Sequence, residues 1–398
     1  MALMHSDDTV TLYHGDCIAV MRELPDASVD AVVTDPPYEL GFMGKGWDAS
    51  GIAYHPEVWT NALRVLKPGG HLLAFGGTRT WHRLAVAIED AGFEVRDSIA
   101  WMYGSGFPKS LDVSKAIDKA AGAERPREMK FGAIAPGANN YGGGATGGAW
   151  VMAQTNDAQT PAAQQWQGWG TALKPAFEPV VVARKPLIGT VAQNVERYGT
   201  GALNIDACRI GTEVRTFGGV EPERNTSQSI GWFRTGDRAE VTVTGRWPAN
   251  VILDESQAAE LDKQSGVTKD SGIGFKNAER STYDAAGRSG PLVTQEFAGY
   301  GGEGGASRFF YTAKADSSER PRVDGVAHPT VKPLDLMRYL VRLVTPPGGI
   351  VLEPFAGSGT TLEACIVEGF ACIGIEREAD YIPLIMARIT KPIEPVLC

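Results

Sequence analysis

Residues 346–381, PPGGIVLEPFAGSGTTLEACIVEGFACIGIEREADY, read as a strand, a glycine loop, a helix, a second strand and an acidic residue. The apolar run Ile350 to Leu352 leads into Phe355, Gly357 and Gly359, where a missing Cβ lets the backbone approach a ligand closely. Thr360 or Thr361 is placed to cap the helix that follows. Glu376, one helix and one strand later, is placed to accept hydrogen bonds from both hydroxyls of a ribose. No lysine follows the second glycine, so the loop lacks the residue that would reach the phosphates of ATP. No third glycine falls where the dinucleotide pattern needs it. The spacing therefore points to an adenosine ligand without a pyrophosphate, with an ordinary tight strand-to-helix turn as the alternative.

Working outward, residues 334–344 have a helical pattern and a last helix is expected from Glu378 to Ile389. At the other end of the chain, residues 9–103 alternate short β-branched runs with helical spacing, the signature of an α/β layer. Strands are expected at Val29 to Thr34, His71 to Phe75 and Phe93 to Trp101, with helices at His55 to Leu66 and Thr78 to Ala91. LKPGG stops the first of these helices with Pro and Gly. From about 104 to 325 the chain becomes rich in Gly, Thr, Asn, Gln and Trp and periodicity weakens, although Pro179 to Ala183 and Asn250 to Leu253 still read as strands. The expected organisation is one discontinuous domain, 1–104 with 326–398, interrupted by an inserted region over 105–325.

Composition bounds the function. With 43% apolar and 21% charged residues the chain is ordinary for a soluble protein. No apolar run approaches the roughly 18 residues of a membrane helix, and the start, MALMHSDDTV, lacks a signal-peptide pattern, so a cytoplasmic location is expected. Cysteines at 17, 208, 365, 372 and 398 form neither a paired framework nor a CxxC metal motif, so no metal site is expected. The net charge of −9 argues against indiscriminate coating of nucleic acid. That acidity belongs to the two ends, and the balanced middle could present a local basic face to DNA.

In SVDAVVTDPPYEL, Asp35, Pro36, Pro37 and Tyr38 follow a buried-type strand at once, where α/β sheets present functional groups. Two successive prolines fix φ twice and remove two N–H donors, leaving a stiff row of acceptors. A carboxylate, fixed carbonyls and an aromatic ring suit the holding of an exocyclic amino group while the ring stacks on a base. Such an amine delocalises its lone pair into the base and is a poor nucleophile. Acceptors on its hydrogens draw the nitrogen towards tetrahedral geometry, so the site supplies positioning and electrostatics for an in-line displacement. Asp35 reads as an orienting acceptor, and Tyr38 as the stacking surface for a nucleotide turned out of the duplex. The alternative is an ordinary turn.

Taken in order, HGDC at 14–17, TDPPY at 34–38, LKPGGHLLAF at 66–75, HPTVKP at 328–333 and EPFAGSGTT at 353–361 resemble the circularly permuted beta class of DNA amino-methyltransferases, of phage and restriction-modification type. The resemblance spans both ends of the chain. It implies a Rossmann-like α/β sheet and S-adenosylmethionine as cofactor, held by Phe355, Gly357, Ser358, Gly359, Thr360 and Thr361, with Glu376 on the ribose, Asp16 and Cys17 facing the adenine, and Asp35 also lining the pocket. His328, Thr330 and Lys332 would help hold the methionine end. Val331 departs from the glutamine that many relatives carry there. The resemblance also makes the inserted region the target-recognition part, and a homodimer and a cognate restriction endonuclease possible partners beside DNA.

Within the insertion, Lys109, Arg184, Lys185, Arg209, Arg246 and Trp247 are the candidate DNA contacts, against the bland reading of solvated charge and a packed tryptophan. Adenine N6 is favoured over cytosine N4 because the tetrad opens with Asp, where the cytosine enzymes of the family more often carry Ser. Cytosine C5 chemistry needs a thiolate nucleophile, commonly after proline, and no Pro-Cys dipeptide occurs. Methylation of RNA or protein glutamine uses a tetrad beginning with Asn. A catalytically silent binding module would be expected to have lost Asp35 or the glycines.

Overall fold

The computed structural model describes residues 1–41, 46–106, 110–133, 148–155, 157–217, 241–269, 273–276, 295–298, 302–314 and 319–391. Two compact units are present: one made of 1–104 with 177–398, the other of 105–176.

The larger unit is built on a ten-stranded sheet. Its strands in chain order are β1 (Ala2–Ser6), β2 (Val10–His14), β3 (Val29–Thr34), β4 (Leu66–Phe75), β5 (Glu94–Met102), β6 (Phe177–Arg184), β7 (Val251–Asp254), β8 (Tyr311–Ala313), β9 (Ile350–Glu353) and β10 (Ala371–Glu376). They lie side by side as β1-β2-β10-β9-β3-β4-β6-β5-β7-β8. Pairing is parallel from β2 through β10, β9 and β3 to β4, and again across β5, β7 and β8. β6 runs antiparallel between β4 and β5. The expected strand positions hold to within a few residues, and β4 starts at Leu66, earlier than the glycines suggested.

Both faces of the middle of this sheet are covered, so β3, β4 and β9 are buried at nearly every position. Ala31, Val33, Leu73, Phe75, Val180 and Val182 point to one face, against helices α4 (Leu334–Val344), α5 (Thr360–Glu368) and α6 (Ile382–Ile389). Val32, Leu72, Ala74, Val181 and Ala183 point to the other, against α1 (Cys17–Glu23), α2 (Pro56–Val65) and α3 (Trp81–Asp90). Each fully buried Val, Leu or Phe contributes about 1.5–3 kcal/mol relative to exposure, so strand register is strongly fixed: a one-residue slip would exchange the two faces.

The expected inserted region differs from what the sheet shows. Three strands that fall within 105–325, namely β6, β7 and β8, are paired in the central sheet, and the separate compact unit is the shorter stretch 105–176. β6 and β7 fall where the apolar runs Pro179 to Ala183 and Asn250 to Leu253 predict strands, whereas the three-residue β8 declares itself only by pairing. In the smaller unit, the helix Val113–Ala120 and the helix Pro161–Gln165 are joined through a buried ion pair: Asp118 accepts from Arg125 Nε at 2.7 Å and from the backbone of Gln159 and Thr160 at 3.0 Å.

Strand order fixes where a ligand cleft can form. β9 and β3 are neighbours, but the chain leaves β9 towards β10 on one side and β3 towards β4 on the other. Their carboxyl ends are therefore the topological switch point, the place where open α/β sheets hold ligands. No helix among the described residues is long and apolar enough to cross a membrane.

Candidate active site

At that switch point the two ends of the chain meet. Asp35 follows the last residue of β3 and Phe355 lies two residues beyond β9. Glu353 accepts Thr34 Oγ1 at 2.5 Å, Thr361 Oγ1 at 2.7 Å and the Phe355 N–H at 3.0 Å. One buried carboxylate thus ties the approach to Asp35 to the glycine loop. Burial pushes Glu353 up to about 8 against those three donors, with the negative charge of Asp35 adding to the rise.

The loop has the strained backbone its glycines permit. Gly357 and Gly359 have φ of +53° and +81°, a region costly to residues with a Cβ. A Cβ on Gly359 would stand 3.1 Å from Ile385, and one on Gly357 would stand 3.2 Å from His328 Nε2. The cap expectation needs correction: the residue before α5 is Gly359, with no side-chain cap, and Thr361 turns inward to Glu353. Thr360 and Ser358 are buried and bond each other through their hydroxyls at 3.0 Å. Glu376, at the end of β10, accepts the Gly357 and Glu378 N–H groups at 2.7 Å each. Burial raises it to about 7 although these bonds oppose the rise.

β2 carries Asp16 and Cys17 to the same end of the sheet, because His14 pairs in register with Glu376. Asp16 caps α1 by accepting the Ala19 N–H at 2.9 Å, and Cys17 is buried, with its thiol pushed up to about 12 by desolvation. His328 lies edge-on to Tyr381, ring centroids 4.6 Å apart. Its Nδ1 bonds the Thr330 carbonyl, which can only accept, so Nδ1 carries the proton and Nε2 is left as an acceptor facing Gly357. Burial brings His328 down to about 4, in keeping with a neutral ring. Thr330 itself is exposed.

Lys332 closes the site on the side of Asp35. Only 8% exposed, it donates to Asp35 Oδ2 at 2.6 Å and to the Tyr38 hydroxyl at 3.1 Å, with Nζ 5.2 Å from the centre of the Tyr38 ring. Burial lowers its pKa, but the carboxylates of Asp35 and Glu178 outweigh that and push it above the ordinary value. Asp35 Oδ1 is buried and has no hydrogen-bond partner among the described residues. The Tyr38 carbonyl is held by Thr80 Oγ1 at 2.9 Å, and the residue after it, Glu39, has φ of +55°.

The sequence reading missed Glu178. It accepts the Tyr38 hydroxyl at 2.6 Å and stands 3.2 Å from Lys332 Nζ. An acid directly before PVVVA was the available signal, but nothing in the chain order ties residue 178 to residues 38 and 332.

Most of the candidate DNA contacts are engaged with neighbouring groups. Lys109 lies outside the described residues. Arg184 pairs with Glu94 at 2.6 Å, and Lys185 donates to the Leu66 carbonyl at 2.7 Å. Arg209 pairs with Asp206 at 2.8 Å and lies 5.7 Å from the ring centre of Trp247, which is 67% exposed; Arg246 bonds Glu213 at 2.5 Å.

Against known proteins, the profile of a family described as DNA methylase matches residues 29–387. The chain is 22% identical over 410 residues to the Type II methyltransferase M.HindIII of Haemophilus influenzae, covering 92% of this chain and 90% of that one. It is 44% identical over 62 residues to the DNA adenine methyltransferase YhdJ of Escherichia coli, covering 16% of this chain and 21% of the relative. Among solved structures, the PvuII DNA methyltransferase, cytosine-N4-specific, aligns over 98% of this chain and 90% of its own, at 13% identity and a TM-score of 0.42.

Proposed function

This chain belongs to the DNA methylase family that modifies adenine N6 or cytosine N4, and on that premise we propose that it methylates the exocyclic N6 of adenine in DNA. The observation that carries the reading is Asp35 Oδ1, a buried acceptor without a partner among the described residues, beside a half-buried aromatic ring. A buried carboxylate oxygen is costly to leave unpaired, and an amine N–H is the group that would satisfy it. Asp at this position, where cytosine enzymes more often have Ser, favours adenine.

The family uses S-adenosylmethionine, and the residues present fit it. Gly357 and Gly359 leave the space that a Cβ would fill, Glu376 offers a carboxylate to a ribose, and the Nε2 acceptor of His328 faces the loop. Phe355, Ser358, Thr360 and Thr361 would complete that wall, with Asp16 and Cys17 beside the adenine and Thr330 and Lys332 towards the methionine end. When bound, the cofactor supplies an electrophilic methyl group on sulfur.

Everything else falls to the chain. The target nucleotide leaves the helix at a cost of a few kcal/mol, offset by stacking on Tyr38 and contacts to the base edge. Asp35 Oδ1 accepts one amine hydrogen and the Pro36 and Pro37 carbonyls offer further acceptors, which draws the lone pair out of conjugation. Asp35 is then the first stop for the proton that the methylated nitrogen sheds. Those parts of 105–325 that lie outside the sheet would read the target sequence, with Lys109, Arg209, Arg246 and Trp247 as the candidate contacts. Arg184 ends β6 and pairs with His71 and Glu94, so it and Lys185 lie at the opposite end of the sheet from Asp35.

The test is to incubate the protein with labelled cofactor and unmodified DNA, digest, and separate nucleosides by mass spectrometry. N6-methyldeoxyadenosine is expected. N4-methyldeoxycytidine would replace adenine by cytosine as the target, and cofactor binding without transfer would make the chain a silent binding module.

A further inference from the structure

β6 is the antiparallel strand set between β4 and β5, so its first residues lie at the carboxyl ends of those neighbours. Glu178 pairs in register with Trp101, and it has the same parity as Val180 and Val182, which face α4. That parity turns its side chain towards Lys332, which immediately precedes Pro333 at the start of α4. Tyr103 is packed on Trp101 at 5.0 Å between ring centroids, and burial, with the negative charge of Glu178 nearby, raises its phenol. Glu178 therefore gathers the Tyr38 phenol and the Lys332 ammonium.

Charge explains why a second carboxylate is needed there. A buried ammonium with one anionic partner forms a tight pair and claims that partner's acceptor strength. Lys332 has two, Asp35 at 2.6 Å and Glu178 at 3.2 Å. Sharing the ammonium leaves Asp35 with one oxygen still seeking a donor. At the same time the Tyr38 hydroxyl is committed to Glu178, which sets the ring's place beside Asp35.

Resting on the functional reading above, we infer that Glu178 is a positioning residue for methyl transfer, holding the Tyr38 ring and drawing the Lys332 ammonium partly away from Asp35. It does not touch the base or the cofactor; it sets the groups that do. Two features separate this role from a contribution to folding alone. Its loss acts on turnover and not on cofactor affinity, and part of its effect runs through the Tyr38 hydroxyl.

The experiment compares wild type, Glu178→Gln, Glu178→Ala, Tyr38→Phe and the double variant Tyr38→Phe/Glu178→Ala. It reads kcat and KM on DNA, cofactor affinity by calorimetry and melting temperature. Loss of a charge-assisted hydrogen bond at a reacting centre predicts that kcat in Glu178→Ala falls by about 10- to 100-fold. Cofactor affinity stays within about twofold, and Glu178→Gln, which keeps the shape and an acceptor, recovers part of the loss. The double variant is expected to be no slower than the slower single variant by more than about twofold, because both changes break one contact. Turnover within about twofold of wild type in both Glu178 variants overturns the inference, as does a loss of kcat matched by equal losses of cofactor affinity and melting temperature in Glu178→Gln. If Glu178→Ala does not fold, the isosteric Glu178→Gln decides by the same two criteria. An inactive wild type in this assay overturns the functional reading and the inference with it, whereas active variants beside an active wild type overturn the role of Glu178 alone.

Discussion

Thr34 Oγ1 donates to Glu353 Oε1 at 2.5 Å, so the residue before Asp35 is bonded to the residue from which the glycine loop departs. The other carboxylate oxygen holds Thr361 in the first turn of α5. Removing this carboxylate leaves buried hydroxyls without their acceptor, at a cost of about 1–3 kcal/mol each. Glu353→Ala is therefore expected to weaken cofactor binding and lower kcat together, checked by calorimetry and steady-state kinetics. A loss confined to one of the two would separate halves of the site that the geometry joins.

Two buried carboxyls make the free protein sensitive to base. Glu353 rises to about 8 and Glu376 to about 7 in the folded state, both from burial, against an ordinary value of 4.5. The folded form then binds more protons than the unfolded form between pH 4.5 and 8, so stability is fully present below 4.5 and is lost as pH rises through 7 and 8. Melting temperature should fall across that window, and Glu353→Gln, which mimics the protonated acid, should fall less steeply. Parallel curves for the two proteins would remove Glu353 as a source of the slope.

Asp35→Ala should abolish methyl transfer while leaving cofactor affinity largely intact, since the glycine loop and Glu376 do not depend on it. Lys332 retains Glu178 as a counter-charge in this variant, which keeps the buried ammonium paired. Kinetics beside equilibrium dialysis with labelled cofactor gives the comparison. Wild-type turnover in the variant would take Asp35 out of the reaction.

Gly359→Ala puts a side chain at φ of +81° and 3.1 Å from the Ile385 backbone. Positive φ and the close contact each cost on the order of 1 kcal/mol or more, so a lower melting temperature is expected. Gly357→Ala meets the ring of His328 instead, and weaker cofactor binding with a smaller thermal loss is the expected pattern.

His328 falls to about 4 through burial. Its contribution to stability is present above the unfolded value of about 6.5 and is lost as pH falls towards 4. Nuclear magnetic resonance of the ring proton should show no titration between pH 6 and 8. A midpoint near 6.5 would mean an imidazole open to solvent and not the neutral acceptor described beside the loop.

Local chemistry made the two poles of the site legible. A buried apolar strand leading into Asp-Pro-Pro-Tyr and a strand leading into Phe-Ala-Gly-Ser-Gly announce themselves, because proline fixes the backbone and glycine permits conformations closed to other residues wherever the chain goes. The alternating layers at both ends followed from periodicity for the same reason.

What the sequence by itself determined, then, is the α/β class, the identity of the acceptor corner and the glycine loop, and the acidic residue that ends β10. Only the tertiary structure decided that β6, β7 and β8 belong to the central sheet, that Thr361 bonds Glu353 and does not cap its helix, and that Arg184 and Lys185 are engaged with Glu94 and the Leu66 carbonyl. It also decided that Lys332 sits between Asp35 and Glu178. Three of these share a physical reason: strand pairing and side-chain pairing are made between residues far apart in the chain, and their partners are chosen by how the layers pack, which local spacing does not encode. Thr361 is only eight residues from Glu353, and it turns inward because its hydroxyl is buried beside that carboxyl.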